Sequence, residues 1–599
     1  MGLVTTKEVA KFIRVDALGF LGTFISWFLM KVFKISTANK IYNKHKHKED
    51  IPFLEGLLND LNVTFEIPKG DLKRIPKEGA FITISNHPLG GIDGAILMKV
   101  LLKKREDYKL ITNFILQRLA PVKHHMIPVN PFENYKDAKS SLVGLKNSLL
   151  HLREGKPLGT FPAGEVSTYK EGKLIVDKVW DESAIKLIKK AKVPVIPIYF
   201  HARNSKSFYF LSKISDTLRT AMLPSELLTQ HKRVIKIRIG KPIPVKNQNL
   251  YTDIDDFSRF LRKKTYMLAK TFKKKKRISK EKLKLKKKPK TISIQRNASF
   301  FKKEIGELRN NDNRLLQSKN YEVFLAKAKD IPNLLHEIGR LREITFREVG
   351  EGTNTALDLD KFDYEYHHLI LWDTTTQKIV GAYRMGFGND LFKKFGIKGF
   401  YIHSLFRIET ELHAMMEQTI ELGRAFISKE YQQKPMPLFL LWRGIVHVTL
   451  RYPKYKYLMG GVSISNQFSE FSKSLMIAFM KSHYYDPYVA QYIRPKKEYK
   501  VKLKDGDKDF VFDATKADMQ KFDKIIDELE PGALRIPVLI KKYVKQNAHL
   551  VAFNVDPKFN NAIDGLMYIK VADLPESTVK PVMEEFQNQL EQYNNEDII

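Results

Sequence analysis

The chain has 599 residues, too many for one core of ordinary size, and 43% hydrophobic content with 31 Gly and 26 Pro is globular rather than collagenous or disordered. It contains no cysteine, which excludes a disulfide framework, thiolate zinc sites, iron–sulfur clusters and a cysteine nucleophile, and leaves any metal chemistry to histidines and carboxylates. Its 103 Lys and Arg against 67 Asp and Glu give a formal net charge of +36, which calls for an anionic partner: nucleic acid, anionic lipid or an acidic carrier protein.

The first predicted element is apolar. Ala17 to Met30 (ALGFLGTFISWFLM) carries almost no polarity and is bracketed by Lys11 and Arg14 before it and Lys31 and Lys34 after it. It is short for a membrane span of about 20 residues and lacks the cleavage site of a signal peptide. The expectation is an interfacial or re-entrant helix with its basic flanks at phosphate headgroups, within a membrane-associating segment over 1–49; a buried core helix is the alternative of the same length.

From Phe81 to Pro244 short apolar strands (AFITIS, KLITNFI, PLGTFP, VPVIPIYF, RVIKIRIGKPIP) alternate with amphipathic stretches after Asp93 and over Lys136 to Glu154. That alternation predicts an α/β domain over 50–268. Lys273 to Lys290 then carries 12 basic residues against the single Glu281, so a basic linker is placed at 269–315, either simply solvated or held against anionic lipid. A nucleic-acid arm would have the same charge, but no reading motif follows it, so no nucleic-acid partner is expected. The second domain, 316–599, mixes a helix near Ile331 to Arg347, strands HHLILWD and KIVGAYRM and a helical LLWRGIVHVTLRY, an α+β pattern.

The first chemical signal is NHPLGGID, Asn86 to Asp93, where a strand delivers Asn86 and His87 to a Gly-rich turn and a helix begins near Asp93. A neutral imidazole can take a proton from an acceptor hydroxyl while a carboxylate holds the ring in its tautomer and stabilises the imidazolium. With FPAGEVS (Phe161 to Ser167) and VPVIPIYF following in order, residues 50 to 265 resemble the glycerolipid acyltransferase superfamily. The resemblance implies His87 and Asp93 as the catalytic pair and Asn86, Gly164 and Glu165 as substrate-binding residues. The pattern departs from the family in having five residues rather than four between His87 and Asp93, with Ala163 and Val166 where the family has Glu and Arg. The block near MIPVNPFE (Met126 to Glu133) likewise lacks the arginine that grips an acceptor phosphate. An acceptor without a glycerol phosphate is therefore expected.

The second signal is dispersed over LREITFREVG, LDLDKFDYEYHHLIL, IVGAYRMGFG, IELGRAFI and LLWRGI, in which charges interrupt apolar runs. Those charges read first as a buried ionic network, costly unless completed by hydrogen bonds. In this order the strings resemble the amino-acid N-acyltransferases of aminolipid synthesis, relatives of GNAT enzymes and acyl-homoserine-lactone synthases. That resemblance implies a polar cluster of Arg342, Asp360, Asp363, Arg384 and Arg424 beside the amino-acid and pantetheine sites, with Glu421 removing the proton of the attacking amine. His367 and His368 are alternatives, of which the strand allows only one to face the site. The Gly-rich turn that holds coenzyme A pyrophosphate is missing, which fits acyl carrier protein as donor, with acyl-CoA the alternative.

The whole chain resembles the bifunctional ornithine lipid synthases. The resemblance implies N-acylation of an amino acid with a 3-hydroxyacyl group by the C-terminal domain, then O-acylation of the lyso-aminolipid by the N-terminal one. No bound cofactor and no metal are expected, and the location implied is the cytoplasmic face of the inner membrane, peripheral or monotopic. A phospholipid-remodelling acyltransferase with an accessory GNAT-like domain and a non-catalytic basic membrane scaffold are the competing readings.

Overall fold

The computed structural model describes residues 4–596 except 13–14, 130–137, 171–173, 212–218, 220–221, 229–233, 273–288, 505, 507–517 and 532–533. Most of the polybasic run and the end of the MIPVNPFE block thus lie outside the described residues. The chain forms two compact units, Met1–Phe272 with Asp527–Leu534, and Lys273–Ile526 with Arg535–Ile599.

The first unit is built on a seven-stranded sheet of β1 (Thr64–Glu66), β2 (Ile82–Ser85), β3 (Lys109–Asn113), β4 (Met126–Val129), β5 (Leu158–Thr160), β6 (Val195–His201) and β7 (Val234–Ile239), in the order β1-β7-β6-β2-β5-β3-β4. Every pairing is parallel except β6 with β7. Parallel strands are covered on both faces, which is why ITIS and VIPIYF read as nearly unbroken apolar runs. Ile82 and Ile84 pack into one core with helices Glu182–Ala191 and Ile254–Met267; Ile196 and Ile198 pack into another, with α3 (Asp50–Asp60) and α4 (Gly91–Leu102).

Ahead of the sheet lie α1 (Gly19–Val32) and α2 (Ile35–His45), bent by 73°. Among the described residues no single helix is long and apolar enough to cross a membrane, although this bent pair passes the test jointly. Phe20, Leu21, Phe24, Trp27 and Phe28 of α1 are exposed, so this helix is not the buried core helix of the alternative reading.

The second unit carries an eight-stranded sheet: β8 (Arg314–Ser318), β9 (Tyr321–Lys327), β10 (His367–Asp373), β11 (Lys378–Phe387), β12 (Thr419–Ile427), β13 (Tyr457–Ile464), β14 (His549–Asp556) and β15 (Ala562–Lys570), ordered β8-β9-β10-β11-β12-β13-β15-β14. Only β12 with β13 is parallel. Their pairing runs from Thr419–Leu422 against Tyr457–Gly460 and stops, while the strands continue to Ile427 and Ile464. A slot therefore opens in the sheet, and the β12 backbone facing it lacks ladder partners on that side. Helix α5 (Pro332–Glu348) covers one face of β9, β10 and β11.

Candidate active sites

In the first unit β2 ends at Ser85 and the chain turns at once. Asn86 is buried, its amide nitrogen donating to the Phe200 carbonyl at 3.0 Å and its oxygen accepting from Phe200 N at 2.7 Å. With both ends engaged by β6, it anchors the turn and offers little to a substrate. Gly90 takes φ +77°, which a side chain would strain, and starts α4. This is how the extra residue between His87 and Asp93 is accommodated.

Asp93 sits in the first turn of α4, where the helix dipole favours a carboxylate. Its Oδ2 accepts from Leu89 N at 2.7 Å and Gly90 N at 3.2 Å and lies 3.2 Å from His87 Nδ1. Burial pushes its carboxyl above the usual range, and the His87 contact pulls it back. With Nδ1 directed to Asp93, His87 Nε2 is left for an acceptor. The ring stacks on Phe161 with centroids 4.2 Å apart. Behind it, Asp177 accepts from His87 N at 3.2 Å and Ser167 Oγ at 2.6 Å, and Ser167 N donates to the His87 carbonyl.

His87 opens onto a cavity of about 310 Å3 walled by Phe53, Leu57, Met98, Leu119 and Leu228. An apolar pocket with one convergent polar group suits a hydrocarbon chain whose reacting end meets the imidazole. Gly164 lies on the wall at φ +66°. Glu165 is paired with Lys178 Nζ at 2.7 Å and Arg219 Nη2 at 2.8 Å, so the cationic groups here are already met by a carboxylate.

The second unit gathers all six of its expected residues. Arg342 on α5 is fully buried; its Nε donates to Asp358 Oδ2 at 3.0 Å, and Nη1 and Nη2 grip Asp363 at 2.8 and 3.1 Å. Arg384 Nη1 reaches Asp360 at 2.7 Å and Asp363 at 3.2 Å, and Arg424 Nη2 reaches Asp360 at 3.2 Å. Burial works against the charge of Asp363, but Arg342 and Arg384 overcome it and hold the carboxyl far below its usual range. Burial likewise opposes the charge of Arg424, and Asp358 more than restores it. Arg424 takes φ +52° just past the point where β12 leaves β13, its guanidinium between the rings of Tyr401 and Phe559 at 5.0 and 4.5 Å.

Glu421 lies on the paired part of β12, fully buried, accepting from Tyr366 OH at 2.7 Å and from the amides of Tyr401 and Ile402 at 3.0 Å each. Burial pushes its carboxyl up to about 7 even against these donors, which poises it to exchange a proton near neutrality. His368 is the histidine that faces the cluster: its Nε2 lies 2.8 Å from the Asp363 carbonyl, and burial holds the ring down at about 4. His367 packs on Phe387 instead.

Comparison with known proteins follows this division. The family model described as Acyltransferase matches residues 18–274, and that described as Acetyltransferase (GNAT) domain matches 341–442. A lyso-glycine lipid O-acyltransferase of Bacteroides thetaiotaomicron is 30% identical over 247 residues, 40% of this chain and 88% of that protein. The chain belongs to the acyltransferase family. Acyltransferase similarity continues in the second unit, where a glycine N(alpha)-acyltransferase of the same species is 32% identical over 184 residues, 29% of this chain and 55% of that protein. Its counterpart in Phocaeicola vulgatus is 29% identical over 245 residues, 39% of this chain and 73% of that protein. The chain thus spans little more than half the length of the Bacteroides thetaiotaomicron glycine N(alpha)-acyltransferase.

Several residues of these acyltransferase sites were not among the candidates read from the sequence. Asp358, Tyr366 and Tyr401 complete the second cluster, and Asp177, Ser167 and Arg219 the first. Of these, Asp358 and Tyr366 stood inside LDLDKFDYEYHHLIL and Ser167 ended FPAGEVS, whereas Arg219 comes from a stretch with no motif at all.

Proposed function

We propose that this acyltransferase builds a diacylated aminolipid in two steps, with glycine as the amino acid. In the second unit the α-amine of glycine attacks a 3-hydroxyacyl thioester, the thiol leaves, and Glu421 receives the amine proton directly or through water. The slot between β12 and β13 offers unpaired backbone to the amides of an extended pantetheine arm. Acyl carrier protein is the proposed donor, its acidity matching a chain of net charge +36.

The N-acyl product then presents its 3-hydroxyl to His87 Nε2 in the first unit. His87 takes that proton as the oxygen attacks a second acyl thioester, Asp93 stabilises the imidazolium, and the C–S bond then breaks with the thiolate leaving and recovering the proton from His87. Glycine is favoured over ornithine by the glycine and lyso-glycine lipid names of the relatives matched on both halves. The exposed aromatic face of α1 supports a peripheral seat on the cytoplasmic side of the inner membrane.

The observation carrying this reading is the His87–Asp93 pair at the mouth of an apolar cavity, beside which Lys178 and Arg219 are held by Glu165. The test is mass spectrometry of lipids from a host that makes no aminolipid, expressing either the wild type or Asp93→Ala. Diacylated glycine in the first and mono-acylated glycine in the second are expected. An ornithine product would overturn the choice of glycine, and rapid acylation of lysophosphatidic acid would overturn the acceptor class.

A further inference from the structure

We propose that the first unit binds a zinc ion between Asp50, His124 and His125, and that this ion ties together two walls of the apolar cavity. The three side chains come from two separate pieces of chain. Asp50 is the first residue of α3, and the histidines end the short 3-10 helix Ala120–His125. Asp50 Oδ1 lies 2.9 Å from His124 Nε2 and 3.1 Å from His125 Nε2, and one donor atom from each residue falls within 4.8 Å of the others. Zinc bonds nitrogen and carboxylate oxygen at about 2.0–2.2 Å, so neighbouring donors of a tetrahedron stand about 3.3 Å apart, close to the spacing found.

The orientation of the His125 ring suits a metal ligand. His125 Nδ1 lies 3.1 Å from the Tyr108 carbonyl, which can only accept, so Nδ1 carries the ring proton. With Nδ1 engaged in this way, His125 is left with Nε2 directed at Asp50. Asp50 Oδ1 is itself shielded from solvent and receives no hydrogen bond. A backbone carbonyl on the far ring nitrogen is also the support a metal-bound histidine ordinarily has.

Two further features fit. Asp50 is held at φ +48°, a left-handed conformation that costs energy for a residue other than glycine and is kept where something fixes it. His124 is exposed, so water has access to a fourth position. Two imidazoles and one carboxylate select zinc over magnesium or calcium, which take oxygen ligands. Phe53, Leu54 and Leu57 of α3 and Val122 of the 3-10 helix line the cavity, so the ion would fix its width.

The experiment uses the untagged full-length protein, stripped with a chelator and retitrated. Uptake of one zinc per chain, a higher unfolding temperature with zinc, and a tetrahedral visible spectrum on cobalt substitution are expected. Asp50→Asn, which tolerates the left-handed backbone, and His124→Ala, an exposed position, should each weaken zinc binding at least about tenfold while leaving the metal-free unfolding temperature nearly unchanged. Absence of zinc uptake by the wild type, uptake undiminished in both variants, or magnesium bound as tightly as zinc would each overturn the proposal.

Discussion

The two units reach reactive groups by opposite electrostatic means. In the first, one carboxylate and one imidazole stand at the edge of a hydrocarbon-lined cavity, and Asp93 is kept in place by two backbone amides. In the second, three largely buried arginines pair with three aspartates, and among the described residues no cation lies within hydrogen-bonding distance of Glu421. The difference shows how environment divides roles among carboxylates. Asp363, gripped by guanidinium groups, is held well below the usual carboxylate range, whereas Glu421, bonded to a phenol and amides, is pushed up by burial to about 7.

The comparison breaks most sharply at the dyad. His87→Ala should lower ester formation by about 10² to 10⁴-fold while N-acylation continues, because a general base contributes that much and the second unit does not use it. Product ratios by mass spectrometry check this, and equal loss of both steps would show that the sites are not independent. Arg342→Ala should destabilise the second unit by about 3–5 kcal/mol, since it takes the bidentate partner from buried Asp363, leaving it only Arg384, and leaves buried Asp358 only the longer contact to Arg424. Denaturant titration reads the loss, and a cost near zero would mean that the network is hydrated rather than buried.

The contrast within the carboxylates is sharpened by pH. If Glu421 takes the amine proton, N-acylation should rise through about pH 7 as the carboxyl ionises, and Glu421→Gln should abolish that limb. Stability should move the other way. A folded carboxyl raised from 4.5 to about 7 binds more protons than the unfolded one between those values, so its contribution is present at low pH and is lost as pH rises through 7. Glu421→Gln should flatten that slope in unfolding measurements, and an unchanged slope would assign it to other groups. The smallest effect expected is at the surface: Trp27→Ser in α1 should weaken binding to anionic vesicles roughly tenfold, in line with one aromatic side chain withdrawn from an apolar phase. Undiminished binding would remove α1 from the membrane contact.

Much of the fold was legible because its strands obey a simple rule. Parallel strands covered on both faces must be continuously apolar, and AFITIS, KLITNFI and VPVIPIYF mark β2, β3 and β6; HHLILWD is β10 residue for residue. His87 and Asp93 were legible because a Gly-rich turn between strand and helix brings them together within seven positions of chain. Asn86 stood in the same motif as a substrate-binding candidate, and the structure engages it with Phe200, 114 residues away. No local pattern carries a contact of that separation.

What the sequence by itself determined was chemistry that is local: residue types, their order, the two kinds of strand pattern and the charge that seeks an anionic partner. Tertiary structure alone decided which charges neutralise which. It assigned Glu165 to Arg219 and Lys178, brought Asp358 into the arginine cluster, turned His368 rather than His367 toward the site, and set Asp50 against His124 and His125. The physical reason is that a charge's protonation and partners depend on burial and on atoms a few ångströms away in space, quantities fixed only when distant segments pack.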